Sequence, residues 1–380
     1  MLSRFDEYPI HQTAESLARP STGDRNFYDR YFFNGFSGSG DLFFGVAMGL
    51  YPNRRVLDAS FSVARDGRQH SVHASRLAPE DRGETRVGPI EVEVLEPFRA
   101  LRIRVTPNDH GIEADLVFRA RAPMIEEPRV TFHAGNRAVL DATRFTQHGA
   151  WEGTVTVAGK RVDVRPQHVF GVRDRSWGLR PVGEPEGGAP GMLPRVFWLW
   201  APVHFDDVCT LAGTFESEDG RQTHHNAVMV PVIPPTGEVP VVTPDDPRSI
   251  PSFSHRVRWK AGTRRAAAAE ITLRPHAGQA LTITLEPLMT FQMRGLGYLN
   301  PEWGHAMWKG ELAVGGDSWS LAEVDPLDPR NIHVQQVCEA RMGERRGVGV
   351  LEQLVLGPHV PSGFQSILDG AADGATSSGR

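Results

Sequence analysis

Ten residues, Gly171-Val-Arg-Asp-Arg-Ser-Trp-Gly-Leu-Arg180, crowd three arginines, a carboxylate and a tryptophan into one stretch. In an extended strand side chains alternate between faces, so Arg173, Arg175 and Trp177 share one side and Asp174 and Ser176 the other. Withdrawal from water disfavours the charged form of a carboxyl group. An aspartate in an apolar pocket therefore becomes a proton donor near neutrality, which is what adding a proton to a carbon–carbon double bond requires. The competing reading makes Asp174 a clamp that accepts hydrogen bonds from Arg180 or the backbone. The planar forks of Arg173 and Arg175 suit either a ligand's polar group or an interdomain ion pair.

Two histidines lie near tryptophans, in His148-Gly-Ala-Trp-Glu-Gly153 and His305-Ala-Met-Trp-Lys-Gly310. Imidazole shuttles protons near neutral pH. His305 has Tyr298, Trp303 and Trp308 close in sequence, so His305 and Tyr298 join Asp174 as candidates for acid–base work. Trp198, Trp200 and Trp308 offer aromatic faces to a cationic intermediate. Glu352 interrupts the apolar run Val350-Leu-Glu-Gln-Leu-Val-Leu356, either paired with an arginine or holding a polar ligand group. His204, His224 and His225 match no zinc spacing, and Cys209 and Cys338, the two cysteines of the chain, are too isolated for a thiolate site. There is no phosphate-binding glycine loop, dinucleotide fingerprint or Gly-x-Ser-x-Gly elbow. The expectation is no metal and no cofactor.

The elements that must position these groups are strands. Ile90-Glu-Val-Glu-Val94, Leu101-Arg-Ile-Arg-Val105 and Leu281-Thr-Ile-Thr-Leu285 alternate apolar and polar residues, the pattern of half-buried antiparallel strands. Turn signals such as Arg65-Asp-Gly-Arg68, Val157-Ala-Gly-Lys160 and Val314-Gly-Gly-Asp317 separate such runs, and 39 glycines and 29 prolines argue against long helices. Asp66-Gly-Arg-Gln69 recurs as Asp219-Gly-Arg-Gln222, and the His148 motif recurs as the His305 motif, at nearly equal shifts of 153 and 157 residues. Such recurrence predicts a duplicated β-domain. The expected organisation is an N-terminal arm (1–30), a first barrel (31–180), a Pro/Gly-rich linker (181–195), a second barrel (196–360) and a flexible tail (361–380). Pro231 to Pro251 reads as a long surface loop of the second domain. A net charge of −5 over 380 residues gives no broad basic surface for nucleic acid, and no uncharged apolar run reaches membrane-spanning length. A cytoplasmic protein with a hydrophobic small-molecule partner is expected; no feature of the chain sets an oligomeric state.

The hairpin Trp151-Glu-Gly-Thr-Val-Thr-Val-Ala-Gly-Lys160, followed by Gly171-x-x-Asp174-x-x-Trp177-Gly178, resembles the signature of the AttH and hydroxyneurosporene synthase (carotenoid 1,2-hydratase) group. Tocopherol cyclase-like and Diels-Alderase-like proteins are relatives of that group. Gly295-Leu-Gly-Tyr298, Trp303-Gly-His305 and Gly349-Val-Leu-Glu-Gln353 look like runs from a branch of the same superfamily, while Arg173 and Ser176 depart from the usual pattern. The resemblance implies an all-β chain of two tandem lipocalin-like (calycin) antiparallel barrels. It brings two functions into view. The first is a cofactor-independent lyase or isomerase (hydratase, dehydratase or cyclase) acting on an apolar isoprenoid, steroid or polyketide-like substrate. Asp174, His305 and Tyr298 would then be catalytic, and Trp177, Trp198, Trp200, Trp308, Arg173 and Glu352 would line the substrate. The second is a non-catalytic carrier of lipid or another small hydrophobic ligand.

Overall fold

The computed structural model describes residues 4–184 and 195–379; residues 185–194, most of the expected linker, lie outside the described residues. The first half of the chain forms β1 (Phe27–Ser37), β2 (Leu42–Tyr51), β3 (Val56–Arg65), β4 (Arg68–Leu77), β5 (Arg86–Val87), β6 (Ile90–Glu96), β7 (Ala100–Val105), β8 (Ile112–Ala120), β9 (Met124–Glu126), β10 (Val130–Ala134), β11 (Arg137–Val157), β12 (Lys160–Val164) and β13 (Val169–Leu179). The second half forms β14 (Val196–His204), β15 (Val208–Glu216), β16 (Gln222–Pro231), β17 (Val241–Val242), β18 (Ser252–Trp259), β19 (Ala266–Arg274), β20 (Leu281–Gln292), β21 (Leu312–Ser320), β22 (His333–Met342), β23 (Arg345–Leu356) and β24 (Thr376–Gly379). One sheet runs β21-β4-β3-β2-β1-β13-β11-β8-β7-β6-β5 and the other β16-β15-β14-β23-β22-β20-β19-β18-β24. Each curls into a nearly closed antiparallel barrel, so the chain is all-β with two barrels. β13 returns to pair with β1, and β23 returns to pair with β14. Among the described residues helix is limited to short 3-10 turns, and no helix is long and apolar enough to cross a membrane.

Strand alternation decides what each wall presents. β8 buries Ile112, Ala114, Leu116 and Phe118 and exposes residues between them. β2 is buried along its whole length because both its faces are covered. Phe44, Val46 and Met48 fill the first barrel, while Phe43 and Ala47 meet Phe291, Met293 and Leu296 from the second half. On β1, Phe33 packs inward and Phe32 and Phe36 pack outward into the same junction. A second junction cluster joins Val172 to Trp198, Trp200 and Leu211. Burying a large apolar side chain contributes ~1.5–3 kcal/mol, so these two clusters fix the barrels wall to wall. Polar groups lying between the clusters are held in place and largely withdrawn from water.

The halves also trade segments. The 3-10 turn Met293–Leu296 sits on the first barrel, where the Gln69 side chain accepts from the Gln292 N–H at 2.9 Å and donates to its carbonyl at 2.8 Å. β21 then extends the first sheet along β4, so Leu312–Ser320 is not part of the second barrel and Val314-Gly-Gly-Asp317 is strand interior rather than a turn. Within the Pro231–Pro251 stretch, β17 pairs in parallel with β9 of the first half. Thr376–Gly379, inside the expected tail, forms β24 on the edge of β18, whose backbone groups would otherwise lack partners.

The sheet topology carries the duplication, but the two repeated motifs do not mark equivalent places. Counting from β1 and β14, the strands that receive β13 and β23, the Asp66 turn joins the third and fourth strands and the Asp219 turn the second and third. His148 lies inside β11, whereas His305 lies in the irregular segment between β20 and β21. Asp66 and Gly67 have φ of 49° and 73°. They form a two-residue hairpin, whereas Asp219 lies in the longer loop between Glu216 and Gln222, where Gly220 takes a positive φ (83°) and Asp219 does not, so the same residue pair serves two different turns.

Candidate active site at the barrel junction

The register of β1, β13 and β11 sets Asp174 beside Phe32 and Thr146, and Ser176 beside Arg30 and Arg144. Arg30, Asp174 and Arg144 therefore share the outer wall of the first barrel. The facing wall of the second barrel brings Trp198 from β14, His333 and Gln335 from β22, and Glu352 from β23. Asn34 bridges the walls: its amide donates to Gln335 Oε1 at 2.9 Å, and its Oδ1 accepts from the Val172 N–H at 2.7 Å. Gln335 donates to Glu352 Oε2 at 2.6 Å, while His333 Nε2 (2.8 Å) and Trp198 Nε1 (3.1 Å) reach Oε1. Burial opposes ionisation of Glu352, but these hydrogen bonds outweigh it and hold its pKa below the ordinary carboxylate value. The direct partners of Glu352 are thus a histidine, an amide and an indole, not an arginine.

Asp174 has a different setting. It lies deep in the junction yet keeps part of its surface accessible. Among the described residues its carboxyl group makes no hydrogen bond or ion pair. Burial pushes its pKa up to about 6 against the pull of Arg144 and Arg30, with Glu127 and Glu352 adding to the rise. Arg144 is itself paired with Glu127 at 2.5 Å and lies 5.2 Å over the Trp198 ring. Tyr298 is also deep and partly accessible, with its hydroxyl unbonded among the described residues. Burial raises its pKa, Arg30 and Arg180 pull it down, and Glu352 and Asp174 push it up. The Tyr298 ring stands edge-on to His305 at 4.7 Å and to His333 at 4.6 Å, with Arg30 over its face at 4.6 Å.

His305 is engaged on both ring nitrogens. Its Nε2 lies 2.8 Å from the Leu296 carbonyl, to which it donates as the Nε2–H tautomer, and 3.0 Å from Arg30 Nη2, while Nδ1 accepts from Arg30 Nη1 at 3.4 Å. Burial, then Arg30 and Arg180, hold its pKa well below the usual histidine value, so the ring is neutral. Asp58 lies beyond Arg30 and accepts from the Ala306 N–H at 2.6 Å; burial raises its carboxyl to about 7.

The junction thus gathers Asp174, Tyr298, His305, Trp198 and Glu352. It does not gather the rest of the expected set. Arg173 and Trp177 point to the opposite side of β13, toward the first barrel's lumen and mouth. Trp200 is packed in the apolar cluster with Trp198, and Trp308 is half exposed on the outside, 50 % accessible. Sequence reasoning missed Arg30, Arg144, Glu127, His333, Gln335 and Asp58. Their signal is the one that singled out Glu352: a polar residue interrupting an apolar strand, as Arg30 does in Phe27-Tyr-Asp-Arg-Tyr-Phe-Phe33.

The two-barrel, AttH-like dual-calycin fold recurs in solved structures. AttH (NE1406) from Nitrosomonas europaea superposes with a TM-score of 0.50 at 13 % identity, over 87 % of this chain and 93 % of that one. CghA, solved with Sch210972, gives 0.49 at 12 % identity over 87 % and 89 % of the two chains. Kievitone hydratase from Nectria haematococca gives 0.49 at 13 % over 86 % and 88 %. No curated protein sequence matches the chain. By sequence the chain belongs to the Family of unknown function (DUF8625), whose model matches residues 2–365.

Proposed function

We propose that the chain is a lyase or isomerase that uses acid–base chemistry of its own side chains on a small apolar substrate held at the barrel junction. The observation that carries this reading is Asp174. Buried polar groups are normally paired, and perturbed carboxyl groups without partners concentrate at functional sites. With a pKa near 6 the group is poised to give and take a proton near neutrality. Protonated, Asp174 delivers its proton to an alkene carbon or to a departing hydroxyl. Arg30 and Arg144 then stabilise the carboxylate left behind. In hydration, water bonds to the cationic carbon and its surplus proton returns to Asp174; dehydration reverses these steps. In isomerisation, the carboxylate removes a proton from a different carbon. Tyr298 supplies a second neutral donor, and His305 holds Arg30 in place. Val196, Phe215 and Leu354, partly accessible beside the Trp198 cluster, suit an isoprenoid, steroid or polyketide-like skeleton.

The test incubates the protein with a hydrophobic metabolite fraction in heavy water and follows the mixture by mass spectrometry. The wild type is expected to convert a compound by gain or loss of water, or to place deuterium on carbon. Asp174→Asn is expected to bind that compound and leave it unchanged. A wild type that binds but converts nothing would make the protein a carrier, and an equally active Asp174→Asn would remove Asp174 from the chemistry.

A further inference from the structure

The lumen of the first barrel holds a charge that the junction does not use. Arg173 points inward from β13 and is 3 % exposed. Its Nε donates to Gln147 Oε1 at 2.9 Å, and its guanidinium lies 5.8 Å from the Phe118 ring centre and 5.1 Å from that of Phe145. Among the described residues no carboxylate pairs with Arg173, and its two terminal nitrogens donate no hydrogen bond. The nearby Arg175 and Arg82 converge on a single carboxylate, Asp29, and the lining around Arg173 carries Arg19, Arg82 and Arg175 against Glu15 and Asp29. Arg173 borders a chamber of about 610 Å³ that opens at the barrel mouth. That volume lies within the range of small-molecule sites, roughly 300–1,000 Å³. Its apolar lining includes Phe98, Leu101, Phe145 and Trp177, with Ile10 and Leu17 of the N-terminal arm across the mouth.

We infer that the first barrel is a second binding site, for an amphipathic carboxylate whose head group takes the free edge of Arg173 and whose apolar body lies in the chamber. A buried guanidinium without a counterion is unfavourable, and a ligand anion removes that penalty. Burial draws the pKa of Arg173 down to about 10, the direction expected of a cation missing its partner. With Nε engaged by Gln147, the two terminal nitrogens present parallel N–H groups along one planar edge. Two carboxylate oxygens match that edge, whereas a phosphate bound in an apolar chamber calls for donors on several sides. Asp174 lies on the far side of the same strand, so this site is independent of the acid–base reading.

The experiment titrates the full-length protein calorimetrically with dodecanoate, dodecanol and dodecyltrimethylammonium, each below its micelle concentration. The wild type is expected to bind dodecanoate at least ~10-fold more tightly than dodecanol, and Arg173→Met to lose ~10- to 100-fold of the dodecanoate affinity with dodecanol unchanged, the scale of one charge-assisted pair. Asp174→Asn is expected to bind dodecanoate as the wild type does. Equal wild-type binding of the three head groups would overturn the inference, and so would undiminished dodecanoate binding by Arg173→Met. Loss of dodecanoate binding in Asp174→Asn would move the site to the junction and overturn it too. The wild-type head-group series decides the matter even if Arg173→Met does not fold.

Discussion

Arg173 and Asp174 are consecutive residues whose side chains lie on opposite sides of β13, and among the described residues neither has an ionic partner in contact. One strand therefore separates the first barrel's chamber from the barrel junction, and the two sides have opposite charge requirements. The lumen side holds a guanidinium against Phe118 and Phe145, and the junction side holds a carboxyl group between Arg30 and Arg144. Neither placement favours the folded state. Buried charges without partners cost stability, and proteins retain such costs where function uses them.

The first prediction concerns pH. The Asp174 carboxyl titrates near 6 in the folded chain against ~3.9 in an unfolded one. The folded state then binds this proton more tightly, so its contribution to stability is complete below the unfolded pKa and is lost as pH rises through the folded one. Asp174→Asn has no charge to bury. Its melting temperature should match that of the wild type only in acid below about pH 4, pull ahead as pH rises toward 6, and exceed it by a constant margin at neutral pH and above. A variant less stable than the wild type at neutral pH would mean that Asp174 acts as a clamp.

Gly171 is the next test, because it shows what the motif glycine is for. A Cβ at this position would fall 2.2 Å from the Asn34 carbonyl oxygen and 2.3 Å from Trp151 Nε1, two atoms that already bond each other at 2.8 Å. Gly171→Ala must push β13 from β1 or break that bond, at a cost of about 3 kcal/mol, the upper end for an overpacked core. Because the Asn34 side chain also bridges to Gln335, activity should fall together with the urea midpoint. An unchanged midpoint would show that the strand pair yields more easily than this packing implies.

The alternation of residues 173–177 was readable from the sequence because it needs only a strand. Which residues share a side followed from that period alone, but not which side faces the lumen, so the sequence alone groups Arg173 and Trp177 with Asp174 around one substrate. Where Tyr298 and His305 would dock was not readable, since the segment after β20 has no periodicity and crosses to the other barrel. Arg30 and His333 sit in strands whose apolar character drew attention away from the polar exceptions. The Asp-Gly motif does not mark register because turns of different length, the two-residue hairpin at Asp66 and the longer loop at Asp219, draw on the same residues.

In the second barrel, Glu216 is fully buried and accepts from His255 Nε2 at 2.5 Å and His359 Nε2 at 3.2 Å. His359 in turn contacts Ser362 Oγ through Nδ1 at 2.7 Å, tying the C-terminal segment to the end of β15. Burial opposes the Glu216 charge, but the two histidine hydrogen bonds outweigh it and lower its pKa. The resulting stability is present above the unfolded value of ~4.3 and is lost as pH falls through the folded one. Glu216→Gln should cost about 3 kcal/mol at neutral pH, as breaking a buried pair does, and the gap to the wild type should narrow in acid. A gap independent of pH would assign the loss to packing.

Tyr298→Phe separates chemistry from scaffolding. The substitution removes one oxygen and leaves the ring against His305, His333 and Arg30. The hydroxyl has no hydrogen-bond partner among the described residues, so its loss should leave the melting temperature unchanged. If that hydroxyl donates a proton or steadies the substrate beside Asp174, turnover should fall by ~10²-fold, the lower range for a positioned acid–base group. Its signature is a lower kcat, with little change in the affinity for a bound product. Trp308→Ala, on the outer surface, is the paired control and should alter neither stability nor rate. A Tyr298→Phe protein that melts early and keeps its full rate would make the hydroxyl structural and leave Asp174 as the sole proton donor of the junction.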